Sequence, residues 1–146
     1  LETGILDYDN PWYYDNEPFT SEKIGEYIGF VYLITDTNGK KYVGKKLFIS
    51  KRRAPPLKGK TRKRTIIKES DWKTYYGSSD EVKTLIESGE TFSREILHLC
   101  KSKGELSYME LKEQVDRKVL LRKDYYNGII QVKIHSSHVK GLVDEN

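Results

Sequence analysis

Two short runs near residue 35 limit what this chain can fold into more than any other feature. Residues 28–34, Ile-Gly-Phe-Val-Tyr-Leu-Ile, are apolar, β-branched or aromatic throughout, and residues 40–45 form a second such run. Between them lies Asp36-Thr37-Asn38-Gly39, and Asn-Gly between two strand-like runs signals a β-hairpin. Loop length then fixes which side chains share a face. A two-residue turn at Asn38-Gly39 pairs Thr35 with Tyr42 and sets Tyr32 and Tyr42 on opposite faces. A three-residue loop, Thr37-Asn38-Gly39 with Gly39 left-handed, pairs Ile34 with Tyr42 and Tyr32 with Gly44, and both tyrosines then share a face. The sequence allows both, and Thr37-Asn38-Gly39 suits the second well.

The rest of the chain reads as a small α+β fold. Residues 46–53 are expected to form a short helix carrying Arg52, stopped by Pro55-Pro56, and residues 54–70 a long basic loop. Ser78-Ser79-Asp80-Glu81 reads as a capping box opening a helix that ends near Gly89, and Phe92 to Cys100 reads as a third strand. Ser102-Lys103-Gly104-Glu105 opens a longer helix to about Leu121, with Tyr108, Leu111, Val115 and Val119 as its expected buried stripe. A strand-like stretch follows from Ile129 to Ile134. These elements imply a central antiparallel sheet of about three strands flanked by helices. The expected division is an acidic, irregular N-terminal arm over 1–28, with 1–4 read as an appended remnant, a main domain over 29–128 with a basic insert at 54–70, and a C-terminal strand and tail over 129–146. Within the arm, Trp12, Tyr13 and Phe19 are the side chains that could hold it to the body.

Charge is distributed unevenly. Residues 1–28 hold seven acids and one base, a net of −6, so with +4 overall the remaining chain carries +10. Lys51 to Lys68 contains nine basic residues and no acid. Such a block attracts polyanions, because each phosphate contact releases a condensed counterion. A single cysteine, Cys100, excludes an internal disulfide and points to the cytoplasm, and no stretch nears the roughly 18 apolar residues that span a bilayer. The chain has no HExxH, CxxC, P-loop or GxSxG motif. His98 and Cys100 would share one side of a strand, which is a poor zinc signal.

Phe30-Val31-Tyr32, then Tyr42-Val43-Gly44 ten positions on, Lys45, Arg52, a mid-helix Glu110, and Asn127 after two aromatics together resemble the GIY-YIG nuclease family. The resemblance runs from about Gly29 to Asn127. The segment Asp71-Trp72-Lys73-Thr74-Tyr75-Tyr76-Gly77-Ser78-Ser79 is similar to one in phage-type and homing-like members. It implies a metal-dependent DNA endonuclease, phage or mobile-element encoded, working in a bacterial host cell. On this resemblance Tyr32 is the general base and Tyr42 orients water or phosphate. Lys45 and Arg52 supply positive charge, and Glu110 is the single side-chain ligand to Mg²⁺, with Mn²⁺ the other ion that fits. Asn127 supports the site from behind, and Gly44 permits close approach beneath it. A neutral-pH tyrosine base needs help, because a free phenol has a pKa near 10. Glu105 and Glu113 are rivals to Glu110 in the same helix. Pro55-Pro56 interrupts the stretch where many members supply a further His or Tyr, leaving Tyr75 or Tyr76 as the substitute. Trp72 and Tyr76 read as packing rather than base-stacking residues.

The basic insert is the expected DNA grip, through Arg53, Lys58, Lys60, Arg62, Lys63 and Arg64. Two other functions fit the same residues: a nucleic-acid-binding module of this fold that does not cut, and an interaction or inhibitory protein that uses the acidic arm. A monomer, a homodimer, and a partner protein for targeting are all compatible with the sequence.

Overall fold

A computed structural model describes residues 8–131 and 133–142. The hairpin at residue 35 forms its center. Strand β3 (Gly29–Asp36) and strand β4 (Lys41–Leu47) pair antiparallel, with Tyr32 opposite Gly44 and Ile34 opposite Tyr42. The loop is the three-residue form, and Gly39 has φ +91°. Asp36 locks it: its Oδ1 accepts from the amides of Asn38 (2.8 Å) and Lys40 (2.9 Å), and its Oδ2 accepts from the Tyr126 hydroxyl (2.5 Å).

Strand β7 (Phe92–Cys100) lies along the other side of β3, as the sequence suggested, with a bulge beside Tyr32. The sheet nevertheless has five strands rather than three. Strands β1 (Trp12–Tyr14) and β2 (Glu17–Pro18) form a small hairpin, and β1 runs parallel to β7, giving the order β2-β1-β7-β3-β4. The acidic N-terminal stretch is therefore built into the fold and is not an arm laid over it. Trp12 and Phe19 are fully buried, and the Trp12 indole donates to the Trp72 carbonyl at 2.7 Å; Tyr13 faces solvent. The proposed remnant at residues 1–4 lies outside the described residues.

Each face of the sheet has its own core. Phe30, Tyr32 and Ile34 point into an aromatic core with Trp12, Phe19, Phe48 and Trp72. Val31, Leu33 and Val43 point the other way, onto helix α2 (Lys103–Asp116) and Val119. Helix α1 (Asp80–Glu87) covers the aromatic side through Val82. Its cap is Ser79, which accepts from the Val82 amide, so the Ser78 side chain is left for another use.

Three local expectations fail, each for a physical reason. Residues 46–53 are not a helix. Strand β5 (Ile49–Ala54) pairs with strand β6 (Arg64–Glu69) in a separate two-stranded ribbon, so most of the supposed loop is strand. Helix α2 stops at Asp116, not near Leu121, and buries a different stripe. Leu106 and Gln114 are inside, whereas Tyr108 and Val115 are exposed. The described residues between 129 and 134 are irregular rather than strand.

The turn lock has a measurable consequence. Partial burial pushes the Asp36 carboxyl up, but the Tyr126 hydroxyl and the turn amides hold it below the ordinary aspartate range. A depressed folded pKa means stability that is present above the unfolded value and lost as pH falls through the folded one. Asp36→Ala is expected to cost about 1–3 kcal/mol in urea unfolding at neutral pH. The cost should shrink in acid, below about pH 4 where an unperturbed aspartate protonates.

Candidate active site

Strand alternation decides what meets at the free edge of β4. Tyr32, Tyr42 and Gly44 share the aromatic face, because Tyr32 pairs with Gly44 and Tyr42 lies two residues from it. The two rings are 6.3 Å apart. A Cβ at Gly44 would overlap the Tyr32 hydroxyl and lie 2.6 Å from its Cζ, so Gly44 makes room for a side chain laid across the strand. Gly77, at φ +99°, approaches from above; a Cβ there would meet the same hydroxyl at 3.1 Å. Tyr32 is 1% exposed, and its phenol sits between two glycines.

The loop carrying Gly77 completes the cluster. Tyr75 packs edge-on against Tyr32 at 6.0 Å, close enough for the two phenols to perturb each other. Tyr75 also neighbors the Ser78 side chain, whose Oγ lies 3.1 Å from the Tyr42 hydroxyl. The hydroxyl-bearing side chains of Tyr32, Tyr75, Ser78 and Tyr42 thus gather on one face of the sheet, with Ser78 hydrogen-bonded to Tyr42. Tyr75 takes the place left open for a further aromatic, and Tyr76 turns away. A buried arginine holds the loop in this position. Arg94 donates from Nη1 to the Tyr75 carbonyl at 2.8 Å and from Nη2 to the Asn10 carbonyl, between the rings of Tyr76 and Trp12. Sequence reasoning missed Arg94; its only signal is an arginine at an inward position of β7.

Lys45 and Glu110 come from the opposite face. Lys45 pairs with Val31, on the α2 side, and its Nζ lies 3.8 Å from Glu110 Oε1. The Glu110 side chain is 16% exposed. Its carboxyl is raised by burial, and Lys45 offsets part of that rise. The rival acids are occupied. Glu113 accepts from Arg117 (2.8 Å) and bonds His98 (2.6 Å), which also gives His98 a structural partner; Glu105 sits at the start of α2 near the Lys101 amide. Tyr32 and Tyr42 therefore do not look directly toward Glu110. They share a face with each other, and Glu110 reaches the same edge from behind the sheet. Its charge nevertheless acts on Tyr32, whose phenol is raised well above the usual value, first by burial and then by Tyr75, Tyr42 and Glu110.

Arg52 is not brought to this cluster. It is exposed on β5 opposite Ile66, and no hydrogen bond or ion pair holds it among the described residues. The cation on the tyrosine face is Lys46, opposite Phe30, with its ammonium 4.3 Å from the center of the Tyr75 ring and 2.6 Å from Asp71 Oδ1. Lys46 is four residues after Tyr42, and its place is legible once β4 is allowed to run past residue 45. Asn127 clamps the strand between Tyr42 and Gly44. It accepts from the Val43 amide at 3.1 Å and donates to the Val43 carbonyl at 2.8 Å, and Gln114 donates to the same carbonyl at 3.2 Å. The six residues expected to grip DNA remain on the ribbon and its connecting loop, all exposed. Among the described residues no three His, Cys, Asp or Glu side chains converge as metal ligands.

The Tyr32–Gly44 fit generates a direct test. Gly44→Ala drives the Tyr32 phenol out of its slot, and the variant should lose at least about 1 kcal/mol of stability from overpacking. Its tyrosine absorbance and near-UV circular dichroism should change relative to the parent. An unchanged spectrum would show that the slot is looser than described.

No curated protein matches the chain, and no solved structure does. A family model described as "Putative endonuclease segE, GIY-YIG domain" matches residues 12–130, beginning at the first residue of β1. That match covers most of the chain, which therefore belongs to the GIY-YIG nuclease family.

Proposed function

We propose that this chain is a divalent-metal-dependent DNA endonuclease whose center is the free edge of β4. The observation that carries this reading is the meeting there of two separate sets of groups. The hydroxyl cluster of Tyr32, Tyr75, Ser78 and Tyr42 arrives from one face, and the Lys45–Glu110 pair from the other.

The residues fit one hard cation. Glu110 is a mostly buried carboxylate whose nearest cation is a loose 3.8 Å from it, so it lacks a tight charge partner. Mg²⁺ or Mn²⁺ can be held by one carboxylate, several waters and substrate phosphate, and it needs no cluster of acids. When bound, such an ion would supply charge neutralisation and a Lewis acid at the attacked phosphate. Lys45 is placed to steady that phosphate and to keep Glu110 ionised.

Tyr32 has a more restricted part than a free base. Burial holds its phenol protonated at neutral pH, so it can donate a hydrogen bond to water or phosphate but cannot accept a proton unaided. To act as a base it must first release its own proton, and the Tyr75 and Ser78 hydroxyls give that proton a path toward the half-exposed Tyr42. Lys46, over the Tyr75 ring, favors negative charge on that path. Arg52, away from the cluster, belongs with the residues that hold DNA. One such center per chain makes a nick; cutting both strands needs two chains or two events. A phage or mobile-element source fits the family resemblance and rests on it alone.

Supercoiled plasmid incubated with Mg²⁺ should be nicked, and EDTA should stop the reaction. Glu110→Gln is expected to slow nicking at least about a hundredfold, comparable to or beyond the loss of a supporting residue at a metal site. Absence of metal-dependent nicking by the parent would sink the enzyme reading and leave a binding module; equal nicking by Glu110→Gln would sink the ligand assignment. Tyr32→Phe and Tyr75→Phe should each lower turnover by about 10²–10⁴, the range of positioned proton transfer. Lys46→Ala should reduce the turnover of bound DNA more than Arg52→Ala does, and the reverse order would return Arg52 to the reacting center.

A further inference from the structure

The β5–β6 ribbon lies outside the candidate site. Among the described residues it pairs with no other strand, and an isolated two-stranded hairpin is only marginally stable in water. Its faces follow from the register. Lys51 opposite Ile67, and Arg53 opposite Thr65, make up one face, and all four are exposed. Ile67 is 59% exposed at the middle of a strand, among cations. None of the basic side chains from Lys51 to Lys68 is in an ion pair among the described residues. A solvated charge run needs no such isoleucine, and an apolar docking face would not be this basic.

The base of the ribbon forms one wall of a groove of about 1170 Å³, whose other wall is the start of α2. Lys45, Lys46, Lys51, Lys68 and Lys103 line it. Its acids have partners: Asp71 holds Lys46, and Glu69 accepts from Ser21 and from the Trp72 indole. Lys45 and Lys46 belong equally to the groove and to the candidate site, so a phosphate strand in the groove passes the reacting center.

We infer that the β5–β6 ribbon enters the major groove of duplex DNA and reads base edges there with Lys51, Arg53, Thr65 and Ile67. This rests on the reading of the chain as one that acts on DNA. Size favors the major groove. Two strands about 4.8 Å apart with their side chains fill the major groove, about 12 Å wide, and are too broad for the minor groove at about 6 Å. Chemistry favors it as well. Lys51 and Arg53 match the O6 and N7 acceptors of guanine, and the Thr65 and Ile67 methyl groups match the thymine methyl, which only the major groove presents. The remaining cations of the ribbon and its loop contact phosphates and set affinity rather than sequence.

The test is binding by the full chain in EDTA, so that it reads out whether or not the chain cuts. Sites are selected from a random duplex library and probed by methylation interference. Methylation of guanine N7, in the major groove, should weaken binding within the selected site, and methylation of adenine N3, in the minor groove, should not. The double variant Thr65→Ala/Ile67→Ala should lose about tenfold in preference for the selected sequence, the range of a good base contact, with its salt dependence unchanged. Lys63→Ala, in the connecting loop among the phosphate-contacting cations, should instead lower the salt slope by about one. Interference at adenine N3, interference nowhere, or an unchanged sequence preference in the double variant would each overturn the inference. Major-groove interference without Mg²⁺-dependent nicking would leave the ribbon assignment standing and remove the enzyme reading; nicking without such interference would do the opposite.

Discussion

The Tyr32 ring lies across the backbone of β4 because the residue opposite it has no side chain. The rest of the site depends on that fit. The register sets Tyr42 on the same face and Lys45 on the other, and it points Lys46 back toward the tyrosines. A one-residue slip would reverse each of these placements at once. The turn lock at Asp36, the β7 pairing along β3, and the Asn127–Gln114 clamp on Val43 act together on this register from three directions. An edge strand is ordinarily free to slip or to pair with another chain. Here the outward-pointing amide and carbonyl of Val43 are covered by side chains, so the edge stays fixed there.

The parts legible in the sequence are those where local chemistry and tertiary structure agree. Asn38-Gly39 and the alternation around Tyr32 and Tyr42 specify a hairpin, and Thr37 leaves room for the three-residue loop that the structure adopts. Phe92–Cys100 was legible because its apolar content and flanking turns agree with a strand. Helix α2 was located correctly but faced wrongly. Its buried stripe contains Glu110 and Gln114 where a pattern of hydrophobes was sought, and Val115, an apparent core residue, is exposed. The stripe is polar at those positions because one residue faces Lys45 and the other satisfies the Val43 carbonyl. Local rules give way where a sequence is committed to a site.

The other misreadings have different causes. Charge on the ribbon hides its period of two: the exposed positions of β5 and β6 are basic on both faces, and Pro55-Pro56 suggests an ending helix. The N-terminal stretch looked irregular because two or three residues per strand carry no periodicity. Its attachment depends on Trp12 and Phe19, each of which fills a volume that only the folded sheet creates. Arg94 was invisible for a similar reason. An arginine at an inward strand position reads as an error until the carbonyls of Tyr75 and Asn10 are seen to converge on it.

Dividing the chemical groups between two faces also resolves an electrostatic conflict. On the proposed reading Glu110 must stay ionised, and the aromatic core around Tyr32 would oppose that by desolvation. Glu110 already has a raised carboxyl on the more polar side, where Lys45 offsets part of the effect; among Phe30, Trp12 and Trp72 it would have no such partner. Tyr32 benefits from the same separation. As a neutral phenol it tolerates full burial, which fixes its hydroxyl between Gly44 and Gly77 without an ionic partner. The sheet keeps the two environments apart, yet the Glu110 charge still reaches Tyr32. A larger residue at Gly44 would close the slot that holds the ring in reach of that charge.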